Sequence, residues 1–317
     1  MKTMVNSSTR IRRKIVRMIL LVALFAAGSS AMAYDFKADG LCYNVNQGDT
    51  TVSVTHQWEG KDVDADAALD YVTGNVVIPS QVTHDGKTYT VTAIDEAAFY
   101  DCKELTGVSL PPVLTAIGDF AFCMCDKLEA VEFPESLTSI GNYAYYGCTV
   151  LTDVVIPSTI TQVGYGAFAY CYGLNSVDIG ASIEQLWFVF WECNRLQSVT
   201  CRALIPPYMG MGANAETHEK AYNFTDLVNQ QAILYVPRES LDAYRRANQW
   251  RNFRRILPIG AILCDVNEDG EVNIADVNAI VNCVLSQDTD MLADVNGDGE
   301  ISLADVNAVI DAVLNQQ

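Results

Sequence analysis

The chain has 317 residues, half of them hydrophobic, with 39 acidic against 20 basic residues and a formal net charge of −19. So large an acidic excess repels nucleic acid and anionic lipid, which excludes both as expected partners and favours cations. The length admits two domains, or one elongated repeat array with an appendage.

The first residues read as an export signal. Arg10, Arg12, Arg13, Lys14 and Arg17 precede an apolar run over 19–27, followed by Ala31-Met32-Ala33, an A-x-A cleavage pattern. The run is too short to span a bilayer comfortably, and no later segment reaches membrane-spanning length. Cleavage after Ala33 predicts a secreted protein, extracellular or at the cell surface, that starts at Tyr34. It keeps 14 basic against 39 acidic residues, a net −25.

Over residues 92–203 the chain repeats itself: TAIDEAAFYDCKELTGVSLP, TAIGDFAFCMCDKLEAVEFP, TSIGNYAYYGCTVLTDVVIP, TQVGYGAFAYCYGLNSVDIG, EQLWFVFWECNRLQSVTCR. The period is 23 residues through four units, and the fifth unit is one residue short. Such self-similarity predicts a solenoid whose units bury their apolar faces against one another. Ile94, Ile117, Ile140, Val163 and Leu186 open the units. One aromatic per rung follows, at Phe99, Phe122, Tyr145, Phe168 and Phe190. Short strands are expected over 108–110, 131–133, 154–156, 177–179 and 199–201, with Pro111, Pro134 and Pro157 closing the first three. Of the ten cysteines, Cys102, Cys125, Cys148, Cys171 and Cys193 keep the same rhythm. Interior thiol rungs are therefore favoured over a disulfide network.

The patterns I-x-x-x-A-F, C-x-x-L and V-x-I-P resemble the BspA-type leucine-rich repeat. Gly180 and Arg202 depart from it at the proline position, as does Leu186-Trp187-Phe188-Val189 at the unit opening. The resemblance extends to a strand-rich N-terminal cap over 34–91 and a C-terminal cap over 204–260. In the latter, ILYVPRESLDAYRRANQW predicts a strand and then a helix with Leu241, Tyr244, Ala247 and Trp250 along one stripe. It implies adhesion or recognition of a protein or glycan ligand. The outward sheet positions are Ser109, Glu132, Val155, Asp178 and Thr200, with Glu129, Asp153 and Asn175 nearby. A solvated sheet face also carries polar residues for no functional reason, so both readings stand at each position.

The C-terminus says one thing twice. Asp265, Asn267, Asp269, Glu271, Asn273 and Asp276 occupy positions 1, 3, 5, 7, 9 and 12 of a loop with Gly270 at position 6. Asp294, Asn296, Asp298, Glu300, Ser302 and Asp305 repeat the pattern with Gly299. Calcium takes six to eight hard oxygens, and the glycine permits the sharp turn midway, so two Ca2+ ions are expected. Position 7 offers its carbonyl, and position 12 is Asp in place of the usual Glu. Acidic turns without metal are the alternative. A helix follows each loop, over 275–285 and 304–314, with no convincing helix before the first. The string D-V-N-x-D-G-x-[VI]-x-[IL]-A-D-V-N-A, present twice, makes residues 261–317 resemble the type I dockerin domain. That resemblance implies a cohesin-type partner and an association with polysaccharide degradation. It also implies partner choice at Ile274, Ala275, Leu303 and Ala304, whose near-identity supports two binding orientations. The basic residues common later in dockerin helices are missing, with Asn282 and Asp311 nearby, so a module with a different partner stands beside the cohesin reading.

No G-x-S-x-G, H-E-x-x-H or G-x-x-x-x-G-K is present, and His56, His84 and His218 lie far apart in sequence. The chain is therefore read as no enzyme, although residues 204–232 show no pattern of any kind. The fold class is α+β: a five-unit leucine-rich repeat solenoid with two caps and a small helical, duplicated calcium-loop domain. The expected function is non-catalytic binding by the repeats, with docking to a cohesin-type or cell-surface scaffold. An adhesin with a purely structural calcium module, and an accessory component of a polysaccharide-degrading assembly, are the alternatives.

Overall fold

The computed structural model describes residues 34–48, 50–56, 72–210, 212–213, 220–267, 269–286, 293–296 and 300–314. The expected export signal, Asp298, Gly299 and His218 lie outside the described residues. Two parallel ladders run along the repeats. The first is the expected one: Leu105–Ser109 lies between Gly74–Val77 and Ala130–Val131, and Asp153–Ile156, Ser176–Ile179 and Ser198–Cys201 pair in register further on. The strand at Ala130–Val131 is shorter than the triplet suggests and ends before Phe133. The second ladder was not foreseen, because its strands are two or three residues long. Ala116–Ile117 and Ser139–Ile140 continue the sheet of the N-terminal cap through Lys87–Ile94, and Gln185–Trp187 pairs with Tyr208–Gly210.

Between the ladders lies an apolar core. The rung aromatics stack: Phe99 on Phe122 at 5.0 Å, Phe122 on Tyr145 at 5.0 Å, Tyr145 on Phe168 at 5.2 Å and Phe168 on Phe190 at 5.9 Å between centroids. Offset stacking adds to the area that each ring buries. The rung cysteines are unbridged and fully buried. The thiols of Cys125, Cys148, Cys171 and Cys193 donate to the carbonyls of Phe99, Phe122, Tyr145 and Phe168 at 3.1–3.2 Å. Burial pushes the Cys125, Cys148 and Cys193 thiols well above the ordinary range, so they remain protonated donors.

Stacking this tight constrains the backbone. A Cβ on Gly164 would lie 2.2 Å from the carbonyl carbon of Gly141 in the preceding unit. Gly180, at the proline position, would place one 2.7 Å from Pro157, which accounts for the departure there. Each unit also holds two residues at positive φ, and most are not glycine: Ala97, Phe120, Tyr143 and Phe188 at one position, Asp101, Met124, Tyr170 and Glu192 at the other. Amide bonds to the next unit pin them, as in Phe120 N to Asn142 O at 2.8 Å and Met124 N to Tyr146 O at 2.8 Å. Such bonds offset a conformation that costs about 1 kcal/mol or more per residue.

The exit cap extends the sheet with Ile233–Val236 and Arg255–Pro258. Its helix is shorter than the stripe predicts. It spans Leu241–Arg246 and stops at Ala247, whose backbone is extended, and a 3-10 turn at Trp250–Asn252 follows. Gln249 enters that turn at φ +63°. Tyr244 and Trp250 still reach the core, their polar ends donating to Ala203 O and Pro207 O, each at 2.8 Å. Phe224 stacks on Phe190 at 5.7 Å and closes the aromatic column.

The C-terminal module packs Ile274–Ser286 against Leu303–Leu314. Its core repeats as the sequence does: Val266, Val277 and Ile280 are matched by Val295, Val306 and Val309. The last strand of the repeat sheet ends at Pro258, and turns lead from there to Asp265, so no helix enters the first loop.

Candidate functional site

The predicted sheet residues stand on the outward side, where register lines up Val155, Asp178, Thr200 and Tyr235. Ser109, Glu132 and Val155 are exposed, while Asp178 and Thr200 are half-buried. Val77 pairs with Ser109 at the head of the column, and Tyr235 follows Thr200. Sequence reasoning missed both, since they belong to the caps and not to the repeat period. Asp178 is engaged rather than free. Arg202 grips it with Nε on Oδ1 at 2.8 Å and Nη2 on Oδ2 at 2.6 Å. The arginine that breaks the proline pattern thus spends itself on the neighbouring rung. Glu129 and Asn175 are exposed beside the column, and Asp153 accepts from Ser176 Oγ at 2.5 Å.

In the C-terminal loops several of the described acids accept hydrogen bonds from the backbone. Asp276 is completely buried; its Oδ1 accepts from the amides of Val266 at 2.7 Å and Asn267 at 3.1 Å, and its Oδ2 from that of Asn273 at 2.8 Å. Asp305 does the same from Asn296 N at 3.0 Å and Ser302 N at 2.8 Å. Asp265 accepts from Asp269 N and Gly270 N, and Asp269 from Glu271 N. Gly270 sits at φ +90°, as a turn reserved for glycine requires. Position 9 has a second task. Asn273 Oδ1 and Ser302 Oγ accept from the amides of Ala275 at 2.7 Å and Ala304 at 3.1 Å, capping the two helices.

Among the described residues no three His, Cys, Asp or Glu side chains converge as a metal cluster. The donor set still fits calcium, because half of it is amide, hydroxyl or backbone carbonyl. An ionised carboxylate offers about four acceptor sites, of which Asp276 uses three. The loops are folded by the same oxygens that would hold the ion. Ile274 and Leu303, at the start of their helices, are 66% and 71% exposed, with Ala275 half-buried and Ala304 exposed beside them. The two described histidines do not converge: His84 stacks on Phe36 at 4.3 Å, and His56 lies near Asp95, its pKa lowered by burial.

Residues 86–197 match the model of the BspA type leucine rich repeat region in six copies, one more than the five units expected. Residues 263–314 match the type I dockerin domain. Among solved structures, a leucine-rich repeat protein from Bacteroides ovatus is 25% identical over 66% of this chain and 56% of its own, with a TM-score of 0.44. The chain therefore spans little more than half the length of that protein. A T. pallidum leucine rich repeat protein is 26% identical over 52% of this chain and 80% of its own, at TM-score 0.41. A leucine rich cell surface protein from Faecalibacterium prausnitzii is 18% identical over 73% of both chains, at TM-score 0.41. Comparison with curated proteins returns no match.

Proposed function

We propose that this chain, which joins a BspA-type leucine-rich repeat region to a type I dockerin domain, is an exported, non-catalytic adaptor. Its repeats hold a protein or glycan on the outward sheet column of Ser109, Glu132, Val155, Asp178 and Thr200. Its C-terminal module, loaded with two Ca2+ ions on the twelve loop positions already named, docks to a cohesin-type or cell-surface scaffold. One observation carries this reading: Ile274 and Leu303 stand exposed at equivalent points of two near-identical loops. Large apolar side chains at the rim of a charged loop favour a protein partner.

The test uses residues 34–317 with and without calcium, on immobilised cohesin modules and by calorimetry. Two bound ions and calcium-dependent capture are expected. Asp265→Ala with Asp294→Ala abolishes both, and intact calcium binding in that double variant would falsify the ligand assignment. Ile274→Asp with Leu303→Asp abolishes capture and leaves calcium binding unchanged.

The absence of basic residues near Asn282 and Asp311 favours a second reading, an adhesin whose calcium module only stabilises. It predicts calcium binding without capture. An accessory role in polysaccharide degradation predicts capture together with other polysaccharide-acting components. Product release by this chain alone would overturn the non-catalytic assignment.

A further inference from the structure

We propose that the cleft where the exit cap meets the second calcium-type loop binds a hydroxylated carboxylic acid of one- or two-ring size, a sugar acid. The cleft has a volume of about 480 Å3, and its lining includes Asn229, Arg245, Arg251, Arg254, Arg255 and Asp294. That volume suits a small ligand more than a protein surface. A chain with 14 basic residues after Ala33 places four of them around this one hollow. Concave walls of one sign concentrate the field and draw in counter-charge. Among the described residues no salt bridge engages any of the four, whereas Arg202 and Arg246 are paired with Asp178 and Asp242.

Two buried atoms specify the ligand further. Arg255 Nε and Asn229 Oδ1 each lack a hydrogen-bond partner, and both residues line the cleft. Asn229 is only 7% exposed. Buried polar groups left unpaired cost free energy until a partner arrives. The first atom needs an acceptor and the second a donor. A carboxylate meets the first, and a hydroxyl on the same molecule meets the second. Inorganic sulfate supplies acceptors alone, and a neutral sugar lacks the charge. Burial also lowers the Arg255 pKa, with the charge of Asp294 working the other way; such a poorly hydrated guanidinium gains most from an anion.

Among the described residues Asp294 is the one acid in the lining, and it opposes an anion. It is also position 1 of the second loop, so a calcium ion there would take up its charge. The anion site does not rest on the calcium reading; only its dependence on calcium does.

Calorimetry on residues 34–317 would use three probes: a glucuronate-bearing disaccharide, its neutral methyl ester and inorganic sulfate. The acid is expected to bind at least about tenfold more tightly than the ester or sulfate, with affinity falling as salt rises. Arg251→Gln with Arg254→Gln, two exposed positions that leave the fold intact, should weaken the acid about tenfold. Equal binding of the ester, preference for sulfate, or an unchanged affinity in the double arginine variant would each overturn the assignment.

Discussion

In the C-terminal module the completely buried side chains include two acids, Asp276 and Asp305, whereas along the repeat ladder they are Phe122, Cys125, Leu128 and their equivalents. The array closes by contact between like units: rings on rings, thiols on carbonyls, amides on the next unit's carbonyls. The module closes by carboxylates holding backbone amides in loops that carry no positive side chain, since residues 256–317 contain no Lys or Arg. Cohesion in the first region is independent of solution ions. In the second, like charges crowd together until cations arrive. The contrast predicts that one chain has two denaturation triggers.

Chelation separates the two most strongly. With free calcium a thousandfold above its dissociation constant, each site adds about 4 kcal/mol to the folded module. EDTA is expected to remove a helix-rich transition from a calorimetric or circular dichroism melt and leave the repeat transition in place. If both move together, the regions are one cooperative unit and the contrast fails.

The converse perturbation is Phe168→Ala. It removes the ring stacked between Tyr145 and Phe190 and is expected to cost the array about 3–5 kcal/mol in chemical denaturation. Calcium affinity of the module should stay as it was.

Gly164→Ala adds a single methyl where the backbone of Gly141 already stands 2.2 Å away. Backbone cannot rotate aside as a side chain does, so a loss of about 1–3 kcal/mol is expected. A variant as stable as the parent would mean that the units slide apart more easily than their ladders imply.

Legibility in the sequence follows the same divide. The 23-residue period exposes the rung residues because each faces the same core, so Phe99 to Phe190 and Cys102 to Cys193 are readable from spacing alone. The loop pattern is readable because metal chemistry restricts the residue types at each position. Other features leave no such mark. The positive-φ positions are hidden by their occupants, since Phe120, Tyr143 and Tyr170 are poor predictors of a left-handed backbone. The break at Ala247 interrupts a perfect three-residue apolar spacing that helix and 3-10 turn share. Tyr235 and the arginine-lined cleft come from packing of the cap against its neighbours, which no local pattern encodes. Asp178 was legible as an outward residue but not as the partner of Arg202.

The smallest effect has the opposite sign. Tyr145 occupies a ring position that is Phe in the other four units, and its hydroxyl is buried without a hydrogen-bond partner. Burial drives the phenol pKa well above its usual range, so the group is neutral, but its desolvation is still uncompensated. Tyr145→Phe keeps the stack on Phe122 and Phe168 and deletes only the stranded oxygen. A gain of about 1 kcal/mol in the repeat transition is expected, with the module unaffected. A loss of similar size would show that the hydroxyl has a partner in solution, and that this part of the array is wetter than its neighbours. The sign alone therefore decides whether the repeat core is dry throughout, the property that sets it apart from the calcium-type loops.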